Sequence, residues 1–358
     1  MKSILRFLVA IIFIASGFVK AIDVVGFSFK LEEYFSPTVF NISFLESLAL
    51  PIAIFVVALE LVLGFMLLLK ISVKKTLAAM IAICVFFAFL TFYSAYFDKV
   101  TDCGCFGDAI KFTPWQSFIK DIVLLLALVI LWFMYRREDR HEVTSPKKLA
   151  LGFGIIATGF IIFWGWFYEP LIDFRDYKVG TDLNAERVKI AANPSQFKTF
   201  YSLTNKKTKE VKEVDQDVYV AESQYWEEGT PWQIDSDKTT SKLVKQGYKS
   251  EITKFKIDDE NGIDITEDIL KAPKAVIVFC YKPKEADQQV LSKIDEQVSK
   301  ITDAKVVGVS TQPGTFKKLP NASMDMTATK TIARSNPFVL VLNKGKIVGK
   351  YPAKMYIQ

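Results

Sequence analysis

Two cysteines separated by one glycine are the residues of this sequence best suited to chemistry. Cys103 and Cys105 lie in the segment TDCGCFGDAIKF, between the carboxylates of Asp102 and Asp108. Cysteines at this spacing can close a small disulfide ring, because Gly104 permits the backbone torsions that such a ring needs. Strained and exposed disulfides are the more oxidising and labile kind. The spacing therefore predicts either a redox-active pair or a static disulfide that shapes the loop.

The chain has two halves of different composition, which indicates a membrane region followed by soluble domains. Residues 1–168 consist mostly of long apolar runs, whereas residues 169–358 are rich in Lys, Asp, Glu and Thr. A helix needs roughly 20 mostly apolar residues to cross a bilayer. Five runs approach that length, and we predict that they span the lipid bilayer: 4–22, 49–69, 76–97, 117–135 and 149–168.

The first apolar run has an alternative interpretation as a cleaved signal peptide. Lys2 and Arg6 give it a basic start, and small residues lie near its end. The apolar run is followed by Phe18, Val19 and Lys20, however, and not by the small residues of a signal-peptidase cleavage site. We therefore predict that this run remains as the first span. Cleavage would not change the predicted orientation of the other spans.

The basic residues of the short loops predict the orientation. Lys and Arg concentrate before the first span, between the second and third, and between the fourth and fifth. Because basic loops stay in the cytoplasm, we predict a bacterial inner-membrane protein with a cytoplasmic N-terminus. The loops 23–48 and 98–116 and everything after Tyr168 are then periplasmic. The formal charge of +6 is largely explained by the inner loops, so no nucleic-acid partner is predicted.

The cysteine loop is thus predicted on the oxidising side, where disulfides persist. A metal site is a third interpretation, because thiolates bind Cu(I) and Zn(II). The outer loops supply no third cysteine and no histidine, since His141 is predicted inside. We therefore predict no metal. Cys84 lies in the middle of the third span, and we expect it to act as a small buried hydrophobic residue.

Ionisable residues within the apolar runs are the next candidates. Glu60 lies near the middle of the second span, where a charge is costly and marks a functional candidate. Three roles are open for Glu60: a protonated side chain bonded between helices, a proton-transfer group, or a ligand contact in a transporter. Lys20 and Asp23 flank the outer end of the first span, and Lys120 and Asp121 that of the fourth. We expect these four residues to anchor helix ends or to pair with each other, close to the cysteine loop.

Residues 1 to 137 resemble the DoxX-like membrane proteins and, more closely, the MauE family. The matching segments are GFVKAID, ALELVLGF, DCGCFGD and TPWQSFIKDIVLL. The resemblance implies a four-helix membrane bundle similar to the quinone-linked vitamin K epoxide reductase-like oxidases. It also implies redox activity at Cys103 and Cys105, with a periplasmic protein as partner and a quinone as electron acceptor. The whole chain, with its fifth span and long tail, is similar to DoxX-family proteins of Bacteroidetes.

The charges beside the cysteines do not identify the attacking thiol. Asp102 and Asp108 disfavour a thiolate, whereas Lys99, Lys111 and Lys120 favour one.

Residues 169–247 are predicted to form a small β-rich extracytoplasmic segment. The run FKTFYSLTNKKTKEVKEVD alternates apolar and polar residues on both sides of a polar turn, which predicts a hairpin. Trp226 and Trp232 surround a Gly-Thr-Pro turn, and we expect them to pack within this segment rather than bind a ligand.

Residues 248–358 contain a strand at 275–281, an amphipathic helix in EADQQVLSKIDEQVSKI, a strand in AKVVGVST and a strand pair in SNPFVLVLNKGKIVGKYP. This succession resembles a thioredoxin-like domain of the TlpA and peroxiredoxin style. The resemblance implies that Pro337 is a cis proline beside the active-site position. The expected Cys-x-x-Cys is missing, because FCYKPKEAD contains only Cys280. We expect Cys280 to be packed rather than nucleophilic.

The predicted architecture is an α-helical membrane bundle followed by an α/β thioredoxin-like extracytoplasmic domain. Its predicted parts are the four-helix bundle at 1–137, an inner loop with the fifth helix at 138–168, the β-rich segment at 169–247 and the thioredoxin-like domain at 248–358. Two functions are open. One is thiol–disulfide exchange with a periplasmic protein. The other is a non-catalytic envelope scaffold that binds through the thioredoxin-like domain and contains a structural disulfide.

Overall fold

The structure, a computed structural model, describes residues 2–97, 99–100, 107–110, 112–136 and 144–357. The predicted site residues Asp102, Cys103 and Cys105 lie outside these ranges. The chain divides into two compact units, formed by Met1–Gly180 with Lys256–Gln358 and by Thr181–Phe255. The domain boundaries proposed from the sequence stay predictions.

The N-terminal region is helical throughout most of its described length. Its helices are α1 (Lys2–Ile22), α2 (Val24–Phe35), α3 (Ser43–Glu46), α4 (Ala49–Leu68), α5 (Val73–Phe97), α6 (Pro114–Tyr135) and α7 (Ser145–Phe167). Among the described helices, α1, α4, α5, α6 and α7 are long and apolar enough to cross a membrane. The five predicted spans are therefore confirmed as helices of a membrane protein.

Helix α6 begins three residues earlier than the apolar run predicts, because a capping box defines its start. The Thr113 hydroxyl accepts a hydrogen bond from the Gln116 backbone N–H (3.3 Å), and the Gln116 side chain accepts one from the Thr113 N–H (3.0 Å). Pro114 occupies the first turn, where its missing N–H costs nothing.

Helices α1 and α4 pack closely because each has a glycine that faces the other helix. A Cβ on Gly17 would lie 2.8 Å from Leu61 Cγ, and a Cβ on Gly64 would lie 2.8 Å from Ile14 Cγ1. Small residues allow such close approach between membrane helices. At the other end of α1, Arg6 donates to the carbonyl oxygens of Leu67 and Leu68 in the last turn of α4. The start of α1 and the end of α4 thus lie at the same face.

Helix α2 was not predicted from the sequence. It follows α1 directly, and the carboxylate of Asp23 caps it by accepting from the Gly26 N–H at 2.9 Å. Its residues Phe27 and Leu31 are buried in a core shared with α4. The 23–48 loop is therefore partly an ordered helix on the bundle.

The unit Thr181–Phe255 has a small antiparallel sheet. Its elements are α8 (Leu183–Ala192), β1 (Gln196–Asn205), β2 (Val211–Asp215), α9 (Gln216–Ala221) and β3 (Trp232–Lys245). The strand order is β2-β1-β3, and β1 with β2 forms the predicted hairpin. Trp232 packs against its core of Leu203, Val214 and Tyr225. Trp226 is 53% exposed, so the expectation that it packs was wrong.

Residues after 256 form a mixed α/β domain. Its elements are β4 (Asp258–Asp259), α10 (Thr266–Lys271), β5 (Ala275–Cys280), α11 (Gln288–Ser299), β6 (Lys305–Ser310), β7 (Asn321–Ser323), α12 (Met326–Ile332), β8 (Phe338–Asn343), β9 (Lys346–Pro352) and α13 (Ala353–Tyr356). The sheet order is β4-β7-β6-β5-β8-β9, with β5, β6 and β7 parallel and β8 and β9 antiparallel. The predicted strands, amphipathic helix and hairpin are all present, whereas β7 and α12 were not predicted.

The loop that leads into β8 contains the predicted cis proline. The Asn336–Pro337 peptide bond is cis, as the resemblance implies for this position. The Asn336 side-chain amide donates to the Lys282 carbonyl oxygen at 2.7 Å and so joins this loop to the end of β5. These two segments form one edge of the α/β domain.

Candidate functional site

Two clusters of charged side chains in the described structure contain residues that the sequence singled out. The first is inside the bundle and is called the intramembrane cluster, formed by Lys20, Glu60, Lys120 and Asp121. The second joins the bundle to the α/β domain and is called the docking cluster, formed by Asp23, Glu32, Asp108, Lys282, Lys330 and Arg334. Asp108 follows Cys105 by three positions in the sequence.

Lys20 and Glu60 form a buried ion pair between α1 and α4. The Lys20 Nζ lies 2.6 Å from Glu60 Oε2 and 3.0 Å from Ser16 Oγ. The residues are 2% and 4% exposed. Gly17, which packs beside Leu61, is five residues from the end of α1, so this level lies about 8 Å from that end. Along α4, Glu60 lies 11 residues after the start of the helix and eight before its end, so it is near the middle of that helix.

Lys120 and Asp121 form a second pair on α6. The Lys120 Nζ is 2.7 Å from Asp121 Oδ1, and the Thr91 hydroxyl of α5 donates to Asp121 Oδ2 at 3.1 Å. The Cys84 thiol donates to the backbone oxygen of Asp121 at 3.3 Å. Cys84 is buried, as expected, but it contacts a polar group rather than only apolar neighbours.

Both pairs line one small cavity of about 30 Å³, together with Ser16 and Cys84. This volume holds one or two water molecules, whereas a cavity that binds benzene measures about 150 Å³. This cavity is therefore too small for a quinone ring. Among the described residues of the chain, no three His, Cys, Asp or Glu side chains are grouped to hold a metal ion.

Arg334 is the centre of the docking cluster. It lies between α12 and the cis proline, and its Nε lies 2.9 Å from both carboxylate oxygens of Asp23. Its Nη2 donates to Asp108 Oδ2 at 2.8 Å, and its Nη1 donates to the Lys330 carbonyl oxygen. The guanidinium thus bridges the cap of α2 to the segment that follows the cysteine loop.

Glu32 of α2 provides the second half of the docking cluster. It accepts from Lys330 Nζ at 2.7 Å and from Lys282 Nζ at 3.2 Å. The Phe29 ring lies against Lys330 Nζ (5.1 Å) and meets the Tyr281 ring edge-on at 5.7 Å. Three carboxylates of the bundle therefore face three cations of the α/β domain. The contact lies where β5 ends, next to the cis-proline loop.

The docking cluster favours the ionised forms of Asp23 and Lys282. Burial alone would raise the pKa of Asp23, but the charges of Arg334 and Arg175, with the Gly26 hydrogen bond, lower it below the ordinary value. Burial likewise opposes the charge of Lys282, but Glu32 raises the pKa of that lysine overall. At neutral pH the cluster is therefore an array of opposite charges.

The α/β domain has no reactive thiol among its described residues. Cys280, at the end of β5, is fully buried, and burial raises its pKa to about 12. A thiol of this pKa is almost entirely protonated at neutral pH and is a poor nucleophile. The structure thus confirms that Cys280 is packed.

The sequence identified Lys20, Glu60, Lys120, Asp121 and Asp108 but not most of their partners. Lys120 does pair with Asp121, whereas Lys20 pairs with Glu60 rather than with Asp23. Sequence reasoning missed the following docking residues: Glu32, Lys282, Lys330 and Arg334. Their partners lie 226 to 311 residues away in the chain, and no local pattern indicates such pairs.

Comparisons with known proteins give one curated relative and one family. The TlpB protein of Flavobacterium psychrophilum is 28% identical over 140 residues, which are 38% of this chain and 37% of that protein. The chain therefore matches little more than a third of the length of that relative. No solved structure matches the chain. Residues 1–134, which include the helices α1 to α5 and nearly all of α6, match the family described as methylamine utilisation protein MauE.

Proposed function

We propose that this membrane protein exchanges disulfides with a periplasmic protein through Cys103 and Cys105. The observation that carries the proposal is the contact between Arg334 and Asp108, at 2.8 Å. It joins the α/β domain, next to its cis-proline loop, to a residue that follows Cys105 by three positions. A domain without its own dithiol is thereby attached to a residue that is close in sequence to a pair of cysteines.

The α/β domain supports this role by its strand order. Strands β6, β5, β8 and β9 lie side by side, with β5 and β6 parallel and a β8–β9 hairpin after the cis Pro337. We propose that this arrangement is a thioredoxin-like domain that has lost its dithiol and docks the partner protein. The basic inner loops support its placement in the periplasm.

The exchange proceeds in two balanced steps. A thiolate of the partner attacks one sulfur of the Cys103–Cys105 disulfide, and the other sulfur leaves as a thiolate. The second thiolate of the partner then attacks the mixed disulfide. The partner leaves oxidised, and Cys103 and Cys105 gain two electrons and, from water, two protons.

Reoxidation of the two thiols requires an acceptor of two electrons and two protons. A quinone is the acceptor that the resemblance implies, and it remains an expectation. The cavity between Lys20 and Asp121 is too small for its ring, so we assign no step to it.

The test replaces Cys103→Ser and Cys105→Ser separately in cells. Removal of the resolving thiol is expected to trap a partner as a higher-mass species on a non-reducing gel that disappears with reductant. Cys84→Ser is the matched control, because that thiol is buried and bonded to Asp121. If neither loop variant traps a partner and both keep wild-type function and stability, the redox function is excluded. Loss of stability without trapping would instead favour the scaffold with a structural disulfide.

A further inference from the structure

We propose that Asp121 is a proton-binding residue, which takes up a proton from the face of the membrane at which α6 begins. Lys120 is the counter-ion that turns away from Asp121 when the proton binds. The inference goes beyond the proposed function and does not rest on it, because every residue that carries it lies in the described helices of the bundle. It assigns the intramembrane cluster to the exchange of one proton with water.

The two ion pairs of the intramembrane cluster differ in their access to the surroundings. The side chains of Lys20, Glu60 and Asp121 are 3%, 6% and 4% exposed. The side chain of Lys120 is 26% exposed. It lies six residues after the start of α6, about 9 Å along the helix axis. A lysine near the end of a membrane helix can extend its ammonium group to the interface. Lys120 is therefore the member of the cluster that can carry its charge out of the bundle.

Charge balance identifies Asp121 as the residue that accepts the proton. A proton on Glu60 would leave the buried charge of Lys20 uncompensated, which is costly inside a membrane. A proton on Asp121 makes that carboxyl group neutral, and Lys120 then turns outward. In this step hydronium gives its proton to a carboxylate oxygen of Asp121, an O–H bond forms and one water molecule is released. The Lys20–Glu60 pair stays intact, so the interior of the bundle remains neutral.

The surroundings of Asp121 suit both a carboxyl group and a water molecule. The Thr91 hydroxyl donates to Asp121 Oδ2, and this bond can persist when the carboxyl group is protonated. The cavity of about 30 Å³ beside it is lined by several polar side chains, and a polar cavity of this size takes up water. In the described structure, the titratable and charged groups that line this cavity with Asp121 come from α1, α4, α5 and α6, and they are Lys20, Glu60, Cys84 and Lys120.

Polar residues on α6 lead from the start of the helix to Asp121. Ser117 lies four residues before Asp121, so the two side chains share one face of the helix. The capping residue Thr113 precedes Ser117 by another four positions. Ser117 is 1% exposed, and its hydroxyl has no hydrogen-bond partner within the described ranges. An unpaired buried hydroxyl is costly, and a bound water commonly satisfies it. Ser117 is therefore an independent indication of water between the start of α6 and Asp121.

The opposite side of the cavity is closed by apolar side chains. Residues 122–134 of α6 contain no ionisable side chain. Leu128 and Leu131, seven and ten residues after Asp121, are fully buried in one apolar core with Leu77 of α5. Such side chains cannot pass a proton, because they offer neither donors nor acceptors. The site therefore exchanges protons with one face only and does not conduct them across the membrane.

The test is infrared difference spectroscopy of the full-length protein in proteoliposomes of known orientation. Cys103→Ser and Cys105→Ser are present throughout, so disulfide exchange has no part in the result. Acidification of the face at which α6 begins should produce the carbonyl band of a protonated carboxyl group, and this band should be lost in Asp121→Asn. Acidification of the other face alone should not produce the band.

Further variants separate a proton-binding site from a static ion pair. Ser117→Ala should slow the appearance of the band but should not abolish it. Thr158→Val on α7 is the matched control, because it removes another buried hydroxyl, outside the cavity lining, and should keep the wild-type rate. Lys120→Met should show the band already at neutral pH, because no counter-ion then compensates the buried carboxylate.

The inference is overturned if no band that depends on Asp121 appears down to the pH at which the protein unfolds. A band that either face produces equally overturns the one-sided site, and an unchanged rate in Ser117→Ala overturns entry along α6. If Asp121→Asn fails to fold, Asp121→Glu decides, because it keeps a carboxyl group and should move the band to another frequency. A band that does not move belongs to a different residue. Because the loop cysteines are serine in every sample, failure of disulfide exchange in cells leaves this inference standing.

Discussion

Lys20 of α1 and Glu60 of α4 form an ion pair of 2.6 Å inside the membrane bundle. Each side chain is at most 6% exposed, and Ser16 adds a hydrogen bond to the lysine. In the apolar surroundings of a bundle an isolated charge is costly. The two residues therefore neutralise each other, and either one left alone destabilises the bundle.

The first prediction concerns this pair. We expect Glu60→Ala to destabilise the protein by about 3–5 kcal/mol, the usual cost of removing one partner of a buried ion pair. The double variant Lys20→Met with Glu60→Met should lose much less, because no uncompensated charge remains. Thermal unfolding of the purified protein in detergent measures both changes.

The control for this pair is Glu33→Gln on α2, whose side chain is 40% exposed and pairs with Lys30 at 3.7 Å. Such exposed pairs contribute little. A cost for Glu60→Ala no greater than that of the control would contradict the pair as a stabilising contact.

The sequence predicted the five spans and the buried Cys280 because those features depend on local composition. Long apolar runs indicate membrane helices, and a run such as AVIVFC predicts a strand buried on both faces. Burial of Cys280 follows directly from that strand.

Pairing across the bundle was not predictable in the same way. Glu60 and Lys20 each stood out, but their contact depends on the register of α1 against α4. Gly17 and Gly64 each approach the facing helix closely, and these contacts fix the register. The positions of the apolar residues in the sequence do not reveal that register. Helix α2 was missed because its 12 residues are too few for a span and carry several charges.

The second prediction concerns Cys280. Because its pKa is raised to about 12, only about one thiol in ten thousand is ionised at pH 8, against roughly a quarter for an ordinary cysteine. With the other three cysteines replaced by serine, the folded full-length protein should react with a maleimide at least a hundredfold more slowly than the denatured protein. Lys346→Cys in a cysteine-free chain is the exposed control. Equal rates for the folded and denatured protein would mean that Cys280 is accessible.

The third prediction concerns orientation. The basic residues between α4 and α5 place that loop in the cytoplasm and the α/β domain in the periplasm. In a cysteine-free chain, Lys346→Cys should react with a membrane-impermeant maleimide in intact spheroplasts. Lys74→Cys should react only after permeabilisation. The reverse pattern would place the cysteine loop on the reducing side and remove the basis of the redox proposal.

The last prediction concerns the segment that follows α7, called the linker, which contacts the α/β domain through Lys350. Asp173 accepts from Arg175 Nε at 2.6 Å and from Lys350 Nζ at 2.6 Å. Burial by itself raises the pKa of Asp173, but the hydrogen bonds and charges of Arg175 and Lys350 lower it well below its ordinary range. An aspartate with a lowered pKa stabilises the folded state above its unfolded pKa, and this contribution is lost as pH falls towards the folded value.

Asp173→Asn should therefore lower the melting temperature most at pH 6 to 7. The difference from wild type should shrink as the pH falls below about 5, because Asp173 is then progressively protonated, first in the unfolded state and at lower pH in the folded state. Asp237→Asn, at an exposed position, is the control and should change little at any pH. A difference that stays constant from pH 7 to pH 3 would mean that Asp173 stabilises the linker by shape rather than by charge. The ion pairs with Arg175 and Lys350 would then contribute little to the attachment of the linker to the α/β domain.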